Sequence, residues 1–463
     1  MADFQFTMAD VMKATNAVIR KTLSASVFGG VTTDTRKIEE GMLFVALKGE
    51  RFDGHDFIAQ AAQKGALGAI VSKDYDVSKL DGIDIDVFAV DDTLTAYQQL
   101  AAFWRAKFNI PVIAITGSNG KTTTKDLTAA VLSGKWNVLK TQANFNNEIG
   151  LPMTLLQLNK THQAAVVEIG MRGLGQITAM AKIAKPTIGV ITNVGETHME
   201  LLGSMENIAK AKSEMAQAIS INGKVILNAD DPFVSKMNAV TKAHVVYFGV
   251  EHAADVKAFD VKAVQGGKME FDAVVGDKQA HFVLNMLGLH NVYNCLAAIA
   301  AGYACGLTVE EMQRGLAGFT PTAMRFEYKK IGDFAVINDA YNASPASTEA
   351  ALKNLAQVAK GRKILVMGDM FELGSAEQRA HADVGRQAAE NGVDIVITRG
   401  ELTRFTAQAA RDAGVPEVYE CPTHEEAAAL LKKLLQPGDT VLFKGSHGMH
   451  MEKIIEMLEK NYK

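Results

Sequence analysis

A glycine-rich loop between a predicted strand and a predicted helix is the feature that most constrains this chain. The apolar run Ile110–Ile115 leads into Thr116-Gly-Ser-Asn-Gly-Lys-Thr-Thr-Thr124, which is followed by the helix-like Lys125–Leu132. Glycines let backbone N–H groups turn inward around phosphate oxygens, and a helix N-terminus adds positive potential. Ile115 stands where the longer phosphate-binding pattern has glycine, so this is the short GxxGKT form. Phosphate binding is favoured over a plain glycine turn with a solvated lysine.

The residues of this loop have separate expected roles. We predict that Lys121 reaches the β- and γ-phosphates of ATP and that the Thr122 hydroxyl ligates Mg²⁺. The expected ATP-binding residues of the loop are Gly117, Ser118, Asn119, Gly120, Lys121, Thr122 and Thr123.

Composition excludes several other classes of protein. The chain has 463 residues with 48 Lys+Arg against 52 Asp+Glu, so a broad nucleic-acid surface is not expected. Its three cysteines are too few and too scattered for a disulfide framework or a zinc knuckle. No apolar run reaches the ~18 residues of a membrane span, and the N-terminus has no signal-peptide core. We therefore expect a cytoplasmic protein without a membrane span.

Short β-branched runs alternate with longer amphipathic stretches, as in parallel strands joined by crossover helices. The predicted strands are Met42–Leu47, Ala69–Ser72, Ile110–Ile115, Ala164–Glu168, Thr187–Thr192, Phe334–Ile337, Lys363–Met367, Asp394–Thr398 and Thr440–Phe443. We predict three α/β domains, 1–88, 89–319 and 320–463, with a linker at Gly315–Thr322. The first is the smallest, the second has a P-loop-type, mostly parallel sheet with helices on both faces, and the third is Rossmann-like.

Polar residues after two further strands are candidate metal ligands, because ligands gather beyond the carboxyl ends of strands in open α/β sheets. Glu168 ends one predicted strand and offers the hard oxygens that Mg²⁺ prefers. His198 follows the strand that runs into Asn193. Since imidazole suits softer metals, a structural histidine is an equal alternative there.

Lys212 lies on the apolar face of a predicted helix for which Ser204 is a good N-cap. It shares one stripe with Ile208, Met215 and Ile219. A lysine in that position must extend its amine to solvent, find a partner or lose its charge. The helix pattern alone favours an amine that reaches solvent.

Together these motifs resemble the ATP-dependent Mur ligases of bacterial peptidoglycan synthesis. The loop 116–124, Glu168, His198 and Gly288-Leu-His-Asn291 are similar to the central signature of that family. The resemblance extends from about residue 30 to the C-terminus. It is carried further by Thr32–Arg36, Phe44–Phe57, Ala143–Gly150, Asp339–Ser344, Val366–Gly374 and Phe443–Ser446.

The resemblance implies a monomeric, ADP-forming ligase that joins D-alanyl-D-alanine to UDP-N-acetylmuramoyl-tripeptide through an acyl phosphate. It implies ATP and two Mg²⁺ ions as cofactors in the central domain. The first domain would hold the UDP end of the substrate, and three asparagines of the central domain would face the muramoyl peptide. The implied substrate-binding residues are Thr33, Asp34, Arg36, Lys48, Gly49, Asp53, His55, Asn144, Asn146 and Asn147.

The third domain would close over the site and help to hold D-alanyl-D-alanine. It would bring Asp339 and Asn342 to the nucleotide, together with Arg325, which resembles an interdomain arginine of the family. Asn291 resembles the adenine-side residue, and Lys212 matches a lysine that is carbamylated in related ligases. The implied catalytic residues are Lys121, Glu168, His198, Lys212 and Arg325. The implied metal ligands are Thr122, Glu168, His198 and Lys212 as its carbamate.

Three alternatives remain open at the level of the sequence. The first is another Mur ligase or a folate-polyglutamylating relative with a different acceptor. The second is a regulatory P-loop NTPase, although the chain has no guanine-reading Asn-Lys-x-Asp motif. The third is a dinucleotide-dependent dehydrogenase, which the missing G-x-G-x-x-G in the last domain disfavours. The identity of the third peptide residue, diaminopimelate or lysine, also stays open.

Overall fold

The computed structural model describes residues 5–23, 27–50, 52–197, 199–264, 267–321 and 324–461. The chain forms two compact units. The first extends to Ala114 and includes Trp136–Gly170 and Ile177–Ile188, and the second comprises Ile115–Lys135, Met171–Gln176 and Gly189–Lys463. Within the described ranges, no helix has both the length and the apolar character needed to cross a membrane.

The N-terminal part of the first unit is built on a twisted sheet with the strand order β2-β7-β6-β5-β4 among the described residues. The elements are β1 (Phe6–Thr7), α1 (Met8–Thr15), β2 (Val18–Lys21), β3 (Val27–Phe28), β4 (Val31–Thr32), β5 (Leu43–Val45), α2 (Ile58–Gln63), β6 (Gly68–Ser72), β7 (Asp86–Val90) and α3 (Thr93–Arg105). Strands β4 to β7 are parallel, and β2 is antiparallel to β7. Every residue of β5 and β7 is buried, as expected for parallel strands covered on both faces.

The central part of the chain contributes to both units. Its elements are β8 (Val112–Thr116), α4 (Lys121–Ser133), β9 (Val138–Lys140), α5 (Gly150–Leu155), β10 (Ala164–Glu168), α6 (Gln176–Ala184), β11 (Ile188–Ile191), α7 (Met199–Leu202), α8 (Met205–Ala218), β12 (Lys224–Asn228), β13 (His244–Gly249), β14 (Val256–Val264), β15 (Lys268–Val275), β16 (Lys278–Leu284), α9 (Leu289–Ala304) and α10 (Val309–Ala317). In the first unit β9 and β10 are parallel. In the second unit β12, β13 and β14 are parallel, whereas β14, β15 and β16 form an antiparallel meander.

The C-terminal part of the second unit has a sheet with the order β17-β18-β22-β19-β20-β21 in the described segments. Its elements are β17 (Glu327–Ile331), β18 (Phe334–Asp339), α11 (Pro345–Val358), β19 (Lys363–Gly368), α12 (Glu377–Glu390), β20 (Ile395–Arg399), α13 (Thr403–Asp412), β21 (Glu417–Glu420), α14 (His424–Leu434), β22 (Thr440–Lys444) and α15 (Glu452–Asn461). Only its edge strand β17 pairs antiparallel among the pairings described. Val336, Val366, Ile397 and Val441 form the centre of its core.

These elements confirm the predicted α/β class with mostly parallel sheets, and each predicted strand is present within a few residues of its predicted bounds. The linker prediction is wrong at its start, because residues 315–317 belong to α10. Glycine is required at Gly315 for packing, since a Cβ there would lie 2.1 Å from the carbonyl oxygen of Ala130 in α4. The domain boundaries near 88 and 319 stay predictions.

Candidate active site

The predicted phosphate loop lies between β8 and α4, and α4 begins directly at Lys121. Gly117 and Gly120 have φ angles of 149° and 77°. A Cβ on Gly117 would lie 1.9 Å from the Thr192 hydroxyl oxygen, and one on Gly120 would lie 2.2 Å from Oδ1 of Asn294. Both glycines are therefore required by backbone conformation and by close approach.

The end of β11 and the segment after it form several hydrogen bonds with this loop. Ser118 Oγ donates to the Gly195 carbonyl at 3.0 Å and accepts from the Gly195 N–H at 2.9 Å. The Asn119 N–H donates to Asn193 Oδ1 at 2.9 Å, and Thr192 Oγ1 donates to the Asn119 carbonyl at 2.7 Å. The loop is thus held in shape by side chains of the protein itself. Sequence reasoning missed Thr192 and Asn193, although the strand-end rule applied to Glu168 would also have found them.

Lys121 folds back over the loop that precedes it. Its Nζ donates to the carbonyl oxygens of Gly117 and Ser118 at 2.9 and 3.0 Å. Thr122 and Thr123 are buried in the first turn of α4. The amine and the helix N-terminus therefore lie on the same loop, as the prediction of a phosphate site requires.

Arg325 reaches this loop from the C-terminal part of the second unit. Its Nη2 donates to the Thr122 hydroxyl at 3.0 Å. Ser344, the N-cap of α11, donates from its hydroxyl to Asn119 Oδ1 at 3.2 Å. The structure therefore brings the predicted arginine to the predicted phosphate loop. Ser344 ends the motif Asp339–Ser344, and its contact with Asn119 is one that no spacing rule predicts.

Asp339 fixes the backbone beside Arg325. Its Oδ1 accepts from the Phe326 N–H at 3.1 Å, and its Oδ2 pairs with the buried amine of Lys444. Lys444 also donates to the carbonyl of Asn342 at 3.1 Å, whereas the side chain of Asn342 is exposed. In these contacts the Asp339 carboxylate organises the turn that carries the arginine.

A buried amide network connects α4 to α9. Thr124 Oγ1 donates to Asn294 Oδ1 at 3.2 Å, and Asn294 Nδ2 donates to Asn291 Oδ1 at 3.1 Å. Asn291 Nδ2 then donates to the Leu287 carbonyl at 2.8 Å. Asn291, the predicted adenine-side residue, is therefore part of the scaffold of the predicted phosphate loop, and so is Asn294, which the sequence reasoning missed.

Lys212 is buried, with 1% of its surface exposed, in the middle of α8. Ser204 caps that helix as predicted, accepting from the Asn207 N–H at 3.2 Å. The expectation of an amine that reaches solvent is wrong, because the helix face is covered. Burial and the nearby charge of Lys121 hold the pKa of Lys212 well below its usual range, so the neutral amine is favoured.

Glu168 lies in the first unit at the end of β10 and is buried, with 1% exposed. Its Oε1 accepts from Asn146 Nδ2 at 2.7 Å. Asn147 Oδ1 accepts from the backbone N–H groups of Ile149 and Gly150 at the start of α5, while Asn144 is exposed. Of the three predicted asparagines, only Asn146 is in hydrogen-bond contact with the predicted metal ligand.

The predicted UDP-binding residues follow the neighbouring parallel strands β4 and β5, so they lie along one edge of that sheet. Arg36 donates to both oxygens of Asp34 in a fork at 2.8–3.2 Å. These hydrogen bonds lower the pKa of Asp34 to about 2. The Arg36 side chain is 85% exposed, so it remains accessible to a ligand. Thr33 lies beside them in the same turn.

The other predicted UDP-binding residues, from Lys48 to His55, lie in a tight loop after β5. Lys48 and Asp53 form an isolated antiparallel bridge across the exposed Gly49. The Ser72 N–H donates to His55 Nε2 at 2.9 Å, so Nδ1 carries the ring proton toward Asp53 Oδ1 at 2.5 Å. Hydrogen bonding from the His55 backbone N–H lowers the pKa of Asp53.

His198 lies outside the described residues. In the described part of the chain, no group of three or more His, Cys, Asp or Glu side chains is arranged to hold a metal. The oxygen donors of Thr122 and Glu168 nevertheless have the chemistry that suits Mg²⁺ rather than a softer ion.

Comparison with known proteins gives a consistent result along the whole chain. Three family models match, described as the Mur ligase family catalytic domain (residues 27–105), the Mur ligase middle domain (115–302) and the Mur ligase glutamate ligase domain (324–447). The chain is 39% identical over 455 residues to the UDP-N-acetylmuramoyl-tripeptide–D-alanyl-D-alanine ligase of Bacillus subtilis, with 97% of each chain covered. The chain belongs to the Mur ligase family.

Other Mur ligases agree with this. The corresponding ligase of Escherichia coli is 36% identical, with 93% of this chain and 94% of that protein covered. The crystal structure of MurF from Acinetobacter baumannii superposes with a TM-score of 0.90 at 34% identity and covers 99% of both chains. MurF ligase from Thermotoga maritima, solved in complex with ADP, has a TM-score of 0.84 at 28% identity, with 94% and 97% covered. The similarity therefore covers the fold and all three family domains.

Proposed function

We propose that this Mur ligase uses ATP to add D-alanyl-D-alanine to UDP-N-acetylmuramoyl-tripeptide, forming ADP in peptidoglycan precursor synthesis. The substrates are those named for the relatives that match nearly the full chain. The observation that carries the proposal is the contact of Arg325 with Thr122, because it adds a second cation to a glycine loop that already carries Lys121. That arrangement suits transfer of a phosphoryl group between two anions.

The reaction must overcome electrostatic repulsion. The terminal carboxylate of the tripeptide attacks the γ-phosphorus of ATP, the bond to the β,γ-bridging oxygen breaks, and an acyl phosphate and ADP result. The amine of D-alanyl-D-alanine then attacks the acyl carbon and displaces inorganic phosphate, which leaves the amide. At 4 Å each pair of unit charges repels by about 4 kcal/mol at an effective dielectric constant near 20. Several such pairs arise in the first step, so cations must lie close to the phosphates.

The chain supplies two of these cations. Lys121 would leave the carbonyls of its own loop to bind β- and γ-phosphate oxygens, and Arg325 would turn its donors from Thr122 toward the same oxygens. When bound, two Mg²⁺ ions would neutralise charge on the transferred phosphoryl group, with Thr122, Glu168, His198 and a carbamate on Lys212 as ligands. The buried Glu168 would be kept in place by Asn146, which donates to one of its oxygens.

Lys212 is proposed to be carbamylated. Its burial and the charge of Lys121 favour the neutral amine, and a neutral amine can add CO₂. The resulting carbamate is an anion with two hard oxygens. In this form Lys212 would offset positive charge near Lys121 rather than add to it.

The remaining assignments follow the three family segments. We propose that domain 1–88 holds the UDP end through the loops after β4 and β5. Domain 89–319 would bind ATP and the muramoyl peptide, and domain 320–463 would contact the nucleotide and hold D-alanyl-D-alanine. The enzyme would act as a monomer in the cytoplasm.

ADP release in the presence of different acceptors tests this function. With UDP-N-acetylmuramoyl-tripeptide and ATP, D-alanyl-D-alanine should stimulate ADP release, whereas D-glutamate or free D-alanine should not. Offering the lysine and the diaminopimelate tripeptides in competition identifies the third residue. A preference for glutamate would indicate another Mur ligase or the folate-type reaction. ADP release that needs no acceptor would indicate the regulatory NTPase instead.

A further inference from the structure

Arg325 stacks on an aromatic side chain that has no role in the proposed reaction so far. The guanidinium carbon of Arg325 lies 3.9 Å from the centroid of the Tyr341 ring, so the cation stacks on the aromatic face. Tyr341 is half-buried and comes from the turn after β18, two residues beyond Asp339. Its backbone N–H donates to the carbonyl of Met324 at 3.2 Å, which ties this turn to the residue that precedes Arg325.

The backbone around Arg325 is held in an unfavourable conformation. Met324 and Phe326 both have positive φ angles, 61° and 53°, a region that L side chains rarely adopt. Two carboxylates hold it there, because Glu327 accepts from the Met324 N–H at 3.2 Å and Asp339 accepts from the Phe326 N–H. Such strain persists only where the surroundings impose it, and it is typical of functional sites. The conformation presents Arg325 to the phosphate loop.

The hydrogen bonds of Arg325 leave its guanidinium only partly fixed by polar contacts. Its Nη2 binds the Thr122 hydroxyl, whereas its Nε is buried and has no hydrogen-bond partner among the described residues. Tyr341 contacts the guanidinium through the face of its ring. The ring also packs edge-on against His447, with centroids 5.4 Å apart, which fixes its plane.

We infer that Tyr341 is a positioning residue for phosphoryl transfer. It holds the guanidinium of Arg325 over the phosphate loop before the nucleotide binds. Ordering a long flexible side chain costs conformational entropy. Because Arg325 is already stacked on a fixed ring, this entropy is lost before the catalytic step and does not add to its barrier. This inference rests on the proposed function, because the held cation acts on the transferred phosphoryl group.

Steady-state kinetics of Tyr341→Phe and Tyr341→Leu test the inference. Tyr341→Phe keeps the ring and should retain kcat within about twofold, whereas Tyr341→Leu should lower kcat by about tenfold. KM for ATP should change less than kcat, because the cation matters most in the transition state. Tyr328→Leu, a half-exposed tyrosine on β17, is the matched control and should retain wild-type kinetics.

The double variant Arg325→Ala/Tyr341→Leu separates positioning from other roles. If Tyr341 acts through Arg325, the double variant should be no slower than Arg325→Ala alone. Effects that multiply, or a Tyr341→Leu defect confined to KM, would overturn the inference. Equal kcat for Tyr341→Phe and Tyr341→Leu would also overturn it. Wild-type enzyme without acceptor-dependent ADP release would instead count against the proposed function, so the two failures are distinguishable.

Discussion

At the scale of single residues, burial decides what Lys212 can do. A lysine on an exposed helix face keeps its charge, but the covered face of α8 makes the ammonium form unfavourable. Lys210 on the same helix is exposed and gives a direct comparison. The sequence periodicity placed Lys212 on the correct face but did not reveal that neighbouring elements cover it completely.

Replacing Lys212 tests its proposed carbamate. Lys212→Ala should lower kcat by about 100-fold, since an anionic oxygen ligand is lost. Acetate or formate should restore part of the activity by supplying such oxygens, and Lys210→Ala should remain active. A Lys212→Ala enzyme with full activity would exclude the role. An inactive variant that no short carboxylate rescues, with an unchanged unfolding midpoint, would exclude the carbamate.

His290 predicts a pH-dependent stability. Burial lowers its pKa from 6.5 to about 4; Asp339 opposes the shift, and Lys444 adds to it. The Asn354 amide donates to Nδ1 at 3.0 Å, which also favours the neutral ring. Between these pKa values the unfolded chain binds the proton and the folded chain does not, so stability decreases as the pH falls from about 6.5 to about 4.

Urea unfolding at different pH values measures this contribution. Wild-type protein should lose on the order of 2 kcal/mol more than His290→Gln between about pH 7 and about pH 5. Each variant serves as its own reference at about pH 7, which removes any difference in intrinsic stability. Parallel pH profiles for the two proteins would show that His290 does not titrate as described.

At the scale of elements, the contact between α4 and α9 shapes the phosphate loop. The hydrogen-bonded series Thr124, Asn294, Asn291 is buried, and Asn294 also lies where a Cβ on Gly120 would be. Neutral amides can satisfy each other in a dry interface without the cost of burying charge. The loop conformation is therefore set by two helices rather than by its glycines alone.

Removing one member of this series should cost more than removing two. Asn294→Leu leaves the Thr124 hydroxyl and Asn291 Oδ1 without their partner and should destabilise the protein by about 1–3 kcal/mol. Thr124→Val/Asn294→Leu should recover part of that loss, because one of the stranded groups is gone. Thermal unfolding and ATP affinity measure both effects. Additive destabilisation in the double variant would contradict the coupling.

At the scale of the whole molecule, a net charge of −4 is compatible with the proposed anionic substrates, because the cations proposed to bind them are local. Within the second unit, Lys121 and Arg325 each donate a hydrogen bond to the predicted phosphate loop, and Arg36 is exposed in the first unit. Net charge therefore describes the surface but does not predict the binding sites.

Sequence reasoning predicted the parallel strands, the phosphate loop and the Ser204 cap, because each depends on local periodicity or spacing. It did not predict the antiparallel strands β14–β16, where charged and apolar residues alternate in a sheet with one solvated face. It also missed Ser344 and Asn294, whose partners lie 225 and 170 positions away. Contacts over such separations depend on how elements pack, which no local pattern records.

Oxygen transfer from the substrate tests the central claim most directly. The tripeptide is labelled with ¹⁸O in its terminal carboxylate and incubated with enzyme, ATP and D-alanyl-D-alanine, and both products are analysed by mass spectrometry. The proposed acyl phosphate predicts one ¹⁸O in the released phosphate. The peptide product should contain the tripeptide extended by the two residues of D-alanyl-D-alanine. Unlabelled phosphate with an unchanged tripeptide would show that water, not the substrate carboxylate, attacks ATP, and would contradict the assignment as a ligase.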